Sequence, residues 1–139
     1  MSERPEESEP PAPVALVLTG NLFFIPRIES AAIRSGMEAV YSNSADGLLR
    51  STAGREVALA LVDLETDETA WVEGVSLLAS VLKSDRESPA PLIAYGPHGD
   101  AETLRKARAL GCDAVLTKRD FSSRLLELMK TRGQAAISP

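Results

Sequence analysis

An α/β fold, with a parallel sheet covered by helices on both faces, is predicted by two features. Five short apolar runs recur along the chain, and a helix-like segment follows each of them. The runs are Val14 to Leu18, Ala39 to Tyr41, Val57 to Val62, Leu92 to Tyr95 and Ala114 to Leu116. Each holds several consecutive apolar residues, as strands buried on both faces require.

The helical segments carry their own signals. After the first strand, Ile25, Ile28 and Ala32 lie three and four apart, and Gly36 stands where a left-handed cap would end the helix. Ser44 is a good cap for a segment holding Leu48 and Leu49 that stops at Gly54. Val75, Leu78, Ala79 and Leu82 form the cleanest one-face stripe, with Trp71 expected to pack at its start. Asp100 is the expected cap of a helix with Leu104, Ala107 and Leu110 that ends at Gly111. Asp120 is the expected cap of the last helix, with Phe121, Leu125, Leu128 and Met129 facing inward.

This (βα)₅ pattern with right-handed crossovers suits a flavodoxin-like, doubly wound parallel sheet of order 2-1-3-4-5 in a three-layer α/β/α sandwich. The chain then reverses direction between strands 1 and 3, and ligands bind in the crevice at their carboxyl ends. Asp63 directly follows the third run, in VALALVDLE, and stands at that crevice beside Thr19, Gly20 and Asn21.

Length and composition bound the rest. A chain of 139 residues suits one domain. Residues 1–13 hold Glu3, Glu6, Glu7 and Glu9 against Arg4, and four of the nine prolines, so they are expected to form a disordered acidic tail. The globular domain is expected over 14–131, with a flexible end at 132–139. A net charge of −5 disfavours nucleic acid as a partner. No apolar run suits a membrane span, and MSERPEESEPPAP lacks the form of a signal peptide, so a soluble cytoplasmic protein is expected. The single cysteine, Cys112, excludes an internal disulfide and is expected to be a buried small apolar residue. One histidine, His98, excludes a histidine-rich metal site, and no catalytic triad can be assembled. The turn LTGNLFFI lacks both glycine-rich phosphate-binding patterns, so no nucleotide cradle and no enzyme activity are indicated.

The chain from about Val14 to Met129 resembles the receiver domain of bacterial two-component response regulators. VALALVDLE is similar to the third strand that ends in the phosphoaccepting aspartate, which would be Asp63. PLIAYGPHG (Pro91 to Gly99) is similar to the fourth strand and its loop. GCDAVLTKRDF (Gly111 to Phe121) is similar to the fifth strand, with Lys118 at the position of the phosphoryl-contacting lysine. The NLFF segment, Asn21 to Phe24, with the loop at His98, is also similar to stand-alone receiver-like proteins of bacteria.

The departures from that pattern are specific. Receivers carry an acidic pair after the first strand, which binds Mg²⁺ with the phosphoacceptor; here the matching residues are Thr19 and Gly20, followed by Asn21. Asp63 with the Asn21 amide oxygen, helped by Glu65, would make only a weak magnesium site. Gly96 replaces the switch hydroxyl of strand 4, Val115 replaces the aromatic of strand 5, and Arg119 replaces the proline after the lysine.

Two roles are open for Asp63: a strand-end carboxylate paired with Lys118, or a phosphoacceptor. Phe23 and Phe24 either plug the space left by the absent metal or present an aromatic anchor to a partner. His98 is expected to be a loop hydrogen-bonder. The resemblance implies a degenerate receiver acting as a protein interaction module, with no cofactor. Its partner would be a signalling protein or a second copy, bound through the helix 4, strand 5, helix 5 face with Arg105, Arg108, Arg119 and Arg124. The alternatives are a functional phosphoacceptor, which would need Mg²⁺, and a small-molecule sensor using the crevice.

Overall fold

The computed structural model describes residues 11–84 and 90–137. Five strands, β1 (Val14–Leu18), β2 (Glu38–Ser42), β3 (Val57–Asp63), β4 (Leu92–Gly96) and β5 (Ala114–Thr117), form one parallel sheet in the order β2-β1-β3-β4-β5. The predicted topology is therefore the observed one. The helices are α1 (Ile25–Arg34), α2 (Ala45–Ser51), α3 (Glu68–Leu82), α4 (Ala101–Ala109), α5 (Lys118–Ser123), α6 (Leu125–Lys130) and a single turn, α7 (Gln134–Ile137). No helix among the described residues is long and apolar enough to cross a membrane.

Strand alternation divides the core in two. Leu16 and Leu18 of β1, Ala60 and Val62 of β3 and Leu92 and Ala94 of β4 face α2, α3 and α4, with Leu48, Trp71, Val75 and Leu78 above them. Ala15, Val17, Leu59, Leu61, Ile93 and Tyr95 face the other way, under Ile28 of α1, Phe121 of α5 and Leu125 and Leu128 of α6. Both faces of the central strands are buried, which is why their sequences are apolar without alternation. The edge strands differ from expectation: β2 is partly exposed along its length and β5 only half-buried, because each has a neighbour on one side alone.

On α3, a Cβ at Gly74 would lie 2.3 Å from Leu18 Cδ2. A larger residue there requires the buried Leu18 side chain to shift. At Gly36, φ is +78°, the left-handed conformation that lets the chain turn from α1 into β2.

Caps place the loops at the carboxyl edge of the sheet. Ser44 accepts from Gly47 N and Asp100 from Thr103 N, as expected. Asp120 is not a cap. The Thr117 hydroxyl accepts from Asp120 N, so α5 begins three residues early, at Lys118, directly on the end of β5. The expected final helix is also two, since Arg124 leaves helical geometry (φ −110°, ψ 12°) between α5 and α6. The expected flexible end is described only as far as residue 137. Within it α7 packs Ala136 on the core, and Arg124 Nη2 donates to Ala135 O at 2.7 Å. Of the expected tail, residues 1–10 lie outside the described residues.

Candidate functional site

The carboxyl ends of β1, β3 and β4 bring Thr19, Asp63 and Tyr95 together. Asp63 and Tyr95 are register partners across β3 and β4. Asp63 is 2% exposed, and both of its oxygens are occupied. Thr19 Oγ1 donates to Oδ2 at 2.7 Å, and Glu65 N donates to Oδ1 at 2.9 Å. A hydroxyl has one proton, and the short bond to the carboxylate takes it; Thr19 Oγ1 in turn accepts from Asn21 N at 3.0 Å.

Lys118 does not pair with Asp63, which corrects the first of the two roles foreseen. Its ammonium pairs with the Glu65 carboxylate. The reason is the early start of α5, which makes Lys118 the first helical residue and sets its Nζ 5.7 Å from the Phe24 ring centre. Asp63 is thus satisfied by a hydroxyl and a backbone amide, with no cation on it.

The two phenylalanines of the turn Leu22–Phe24 differ in their surroundings. Phe24 packs edge-on against Tyr95 and Phe121, at centroid distances of 6.1 and 5.8 Å, and closes the crevice from the side. Beneath it Tyr95 and Phe121 stack 4.0 Å apart and 6° from parallel. Phe23 stays 74% exposed, with Leu22 beside it. Asn21 shapes this turn, because its Oδ1 accepts from Phe23 N at 2.9 Å.

Gly96 and Gly20 are filled rather than vacant positions. A Cβ on Gly96 would meet Leu64 Cβ at 3.1 Å and Leu104 Cδ2 at 3.3 Å. One on Gly20 would meet Thr66 Oγ1 at 3.0 Å. His98 lies exposed in the loop before α4. Arg105, Arg108 and Arg119 are exposed on α4 and at the start of α5, whereas Arg124 pairs with Glu127 and ties down α7. The sequence places Thr19 at the crevice in the position of a missing acid without disclosing its bond to Asp63, and it assigns no role to Tyr95 or Leu64. Their signal was position: Thr19 and Tyr95 fall at strand ends flanking Asp63.

Burial raises the Tyr95 phenol far above its usual range, and the Asp63 charge beside it adds to the effect. Burial also pushes the Cys112 thiol up, from 9.0 to about 12, with Asp113 contributing. A group raised in the fold contributes stability that is full below its unfolded value and is lost as pH rises towards its folded one. Melting temperature is therefore expected to fall from about pH 9 upward. Cys112→Ala should flatten the first part of that fall and Tyr95→Phe the later part. Slopes identical to wild type in both variants would refute the assignment.

Solved structures share this fold. The phosphorylated cyanobacterial phytochrome response regulator RcpA matches 91% of this chain over 95% of its own, with TM-score 0.64 and 17% identity. A CheY-like receiver domain protein from Methanospirillum hungatei matches 89% over 98% of its own (TM-score 0.60, 17% identity), and a response regulator from Thermotoga maritima 88% over 98% (TM-score 0.65, 13% identity). No family model matches the chain, and no curated protein sequence matches it. The chain has the CheY-like, flavodoxin-like fold of response-regulator receiver domains.

The residues present do not fit the magnesium ion that the resemblance to receivers implies. Mg²⁺ needs an octahedral set of oxygens that usually includes carboxylates. Here Asp63 is enclosed, Glu65 is held by Lys118, and the Asn21 oxygen is spent on its own turn. No group of three or more metal-ligating side chains occurs among the described residues.

Proposed function

We propose that this chain is a degenerate receiver that acts as a protein interaction module in bacterial signal transduction, without switching by phosphorylation. The observation that carries the reading is the enclosure of Asp63 by Thr19 Oγ1 and Glu65 N at 2% exposure. In-line attack on a phosphoryl donor requires an open carboxylate oxygen and a cation to spread the charge. Neither condition is met while Thr19 bonds one oxygen and Glu65 holds Lys118. Leu64 and Leu104 against Gly96 add a second reason, since no hydroxyl is available to follow a phosphoryl group.

Output then passes through a surface. The exposed Arg105, Arg108 and Arg119 of the α4–β5–α5 face suit an acidic protein partner, with exposed Phe23 offering an aromatic anchor at the neighbouring edge. The likeness to response regulators supports placing that partner in signalling.

Intact-mass analysis after incubation with acetyl phosphate and Mg²⁺ tests the reading, with Asp63→Asn alongside. The expected result is identical mass for both proteins before and after incubation. A stoichiometric phosphoryl adduct on wild type that is absent from Asp63→Asn would overturn it and restore Asp63 as an acceptor.

A further inference from the structure

Away from the crevice, α1 and the α5–α6 pair cover the same face of the sheet, and a groove of about 450 Å³ runs between them. That volume lies within the roughly 300–1,000 Å³ of small-molecule sites. Arg27, Ser30 and Arg34 stand along its α1 wall, and Ser122, Leu125 and Leu126 face them. None of the residues lining it is acidic, in a chain whose net charge is −5.

Arg27 is preorganised. Its Nη1 donates to Ser122 Oγ at 2.6 Å and its Nη2 to Ser122 O at 3.0 Å, which ties the guanidinium to α5. Holding an arginine in one geometry before a ligand arrives removes part of the ordering cost of binding. Only two of its N–H groups are used in this way, and the Ser122 hydroxyl, accepting here, keeps its own proton to donate. Together the two side chains form a fork of donors suited to phosphate oxygens.

Arg34 gives a second cation on the same wall. It lies seven residues further along the helix, close to two full turns, so the two arginines share a face about 10 Å apart along the axis. Ser30 falls between them in the helix, and Leu125 and Leu126 supply an apolar facing wall. Two cations at that spacing, with no carboxylate lining the groove to compete, fit one ligand with an anionic group at each end better than a single small anion.

We infer that this groove binds a small organic bisphosphate, a sugar phosphorylated at both ends, with one phosphate on Arg27 and Ser122 and the other on Arg34. The bound ligand bridges α1 to the α5–α6 pair. The groove shares no residue with the Asp63 site or with Arg105, Arg108 and Arg119, so the inference stands whether or not Asp63 accepts phosphate.

The test is an amide chemical-shift titration of the full chain at about 0.15 M salt, with fructose 1,6-bisphosphate, fructose 6-phosphate and inorganic phosphate as probes. The bisphosphate is expected to give saturable shifts confined to Arg27 to Arg34 and Ser122 to Leu126. It should bind at least about tenfold tighter than either other probe, because its second phosphate binds at the effective concentration set by the first. Arg27→Gln and Arg34→Gln should each reduce it to the affinity of fructose 6-phosphate, whereas Arg105→Gln should leave it unchanged. Arg34 is exposed at the end of α1, so its variant removes a charge without opening the core. Equal affinity for the three probes would overturn the inference, leaving only an unselective basic patch. So would the absence of saturable shifts up to about 10 mM bisphosphate, shifts centred on Arg105 and Arg108, or an Arg34→Gln variant that binds the bisphosphate as wild type does.

Discussion

Phe121→Ala is expected to cost about 3–5 kcal/mol of unfolding free energy, the largest loss of any single site around the crevice. The ring is fully buried, stacks on Tyr95 at 4.0 Å, and receives the edge of Phe24. Removing it takes away the area of a large side chain and leaves a cavity that the sheet beneath cannot fill by relaxing, because β4 is paired on both sides. It also removes aromatic contacts worth roughly 0.5–1.5 kcal/mol beyond their area. Urea unfolding measures the effect. Phe121→Leu should lose markedly less than alanine, since it retains most of the volume. A loss below about 1 kcal/mol for alanine would mean that the stack does not anchor α5.

The second large effect is expected at Thr19. Thr19→Val keeps the shape but removes the hydroxyl that donates to Asp63 Oδ2, leaving a carboxylate oxygen buried without that donor. Such losses reach about 2–3 kcal/mol when the partner is charged. The cost should shrink sharply in an Asp63→Asn background, where no buried charge is stranded, and Thr19→Ser should stay near wild type. A double-mutant cycle isolates this coupling. If the Thr19→Val cost is the same with aspartate or asparagine at 63, the bond does not carry the site. The same substitution probes function, because an opened Asp63 is what phosphorylation would need.

Most of the fold could be read from the residues. Central parallel strands advertise themselves, since burial on both faces leaves Val14–Leu18 and Val57–Val62 with no polar position at all. The edge strands gave a weaker signal for the matching reason: Glu38 and Tyr41 of β2 face water. Asp63 at the crevice was also legible, being the first charge after a buried run. Its partner was not. Whether a lysine reaches across from β5 depends on where the next helix begins, and that is decided by Thr117 rather than Asp120 taking the cap. Both are good capping residues three positions apart, and local chemistry alone does not rank them. Likewise, nothing local to Gly96 says that Leu64 and Leu104 close over it, since that contact joins three separate elements.

The division of the core has an optical consequence. The one tryptophan, Trp71, lies fully buried under α3, while the only buried tyrosine among the described residues, Tyr95, sits on the opposite face of the sheet against Phe24 and Phe121. Each layer therefore carries its own near-ultraviolet chromophore in a rigid, asymmetric setting. Indole emission reports on the layer beneath α2, α3 and α4, and tyrosine ellipticity on the layer that borders the crevice. A partner that disturbs only the aromatic wall of the crevice would leave a signature in the second signal and silence in the first.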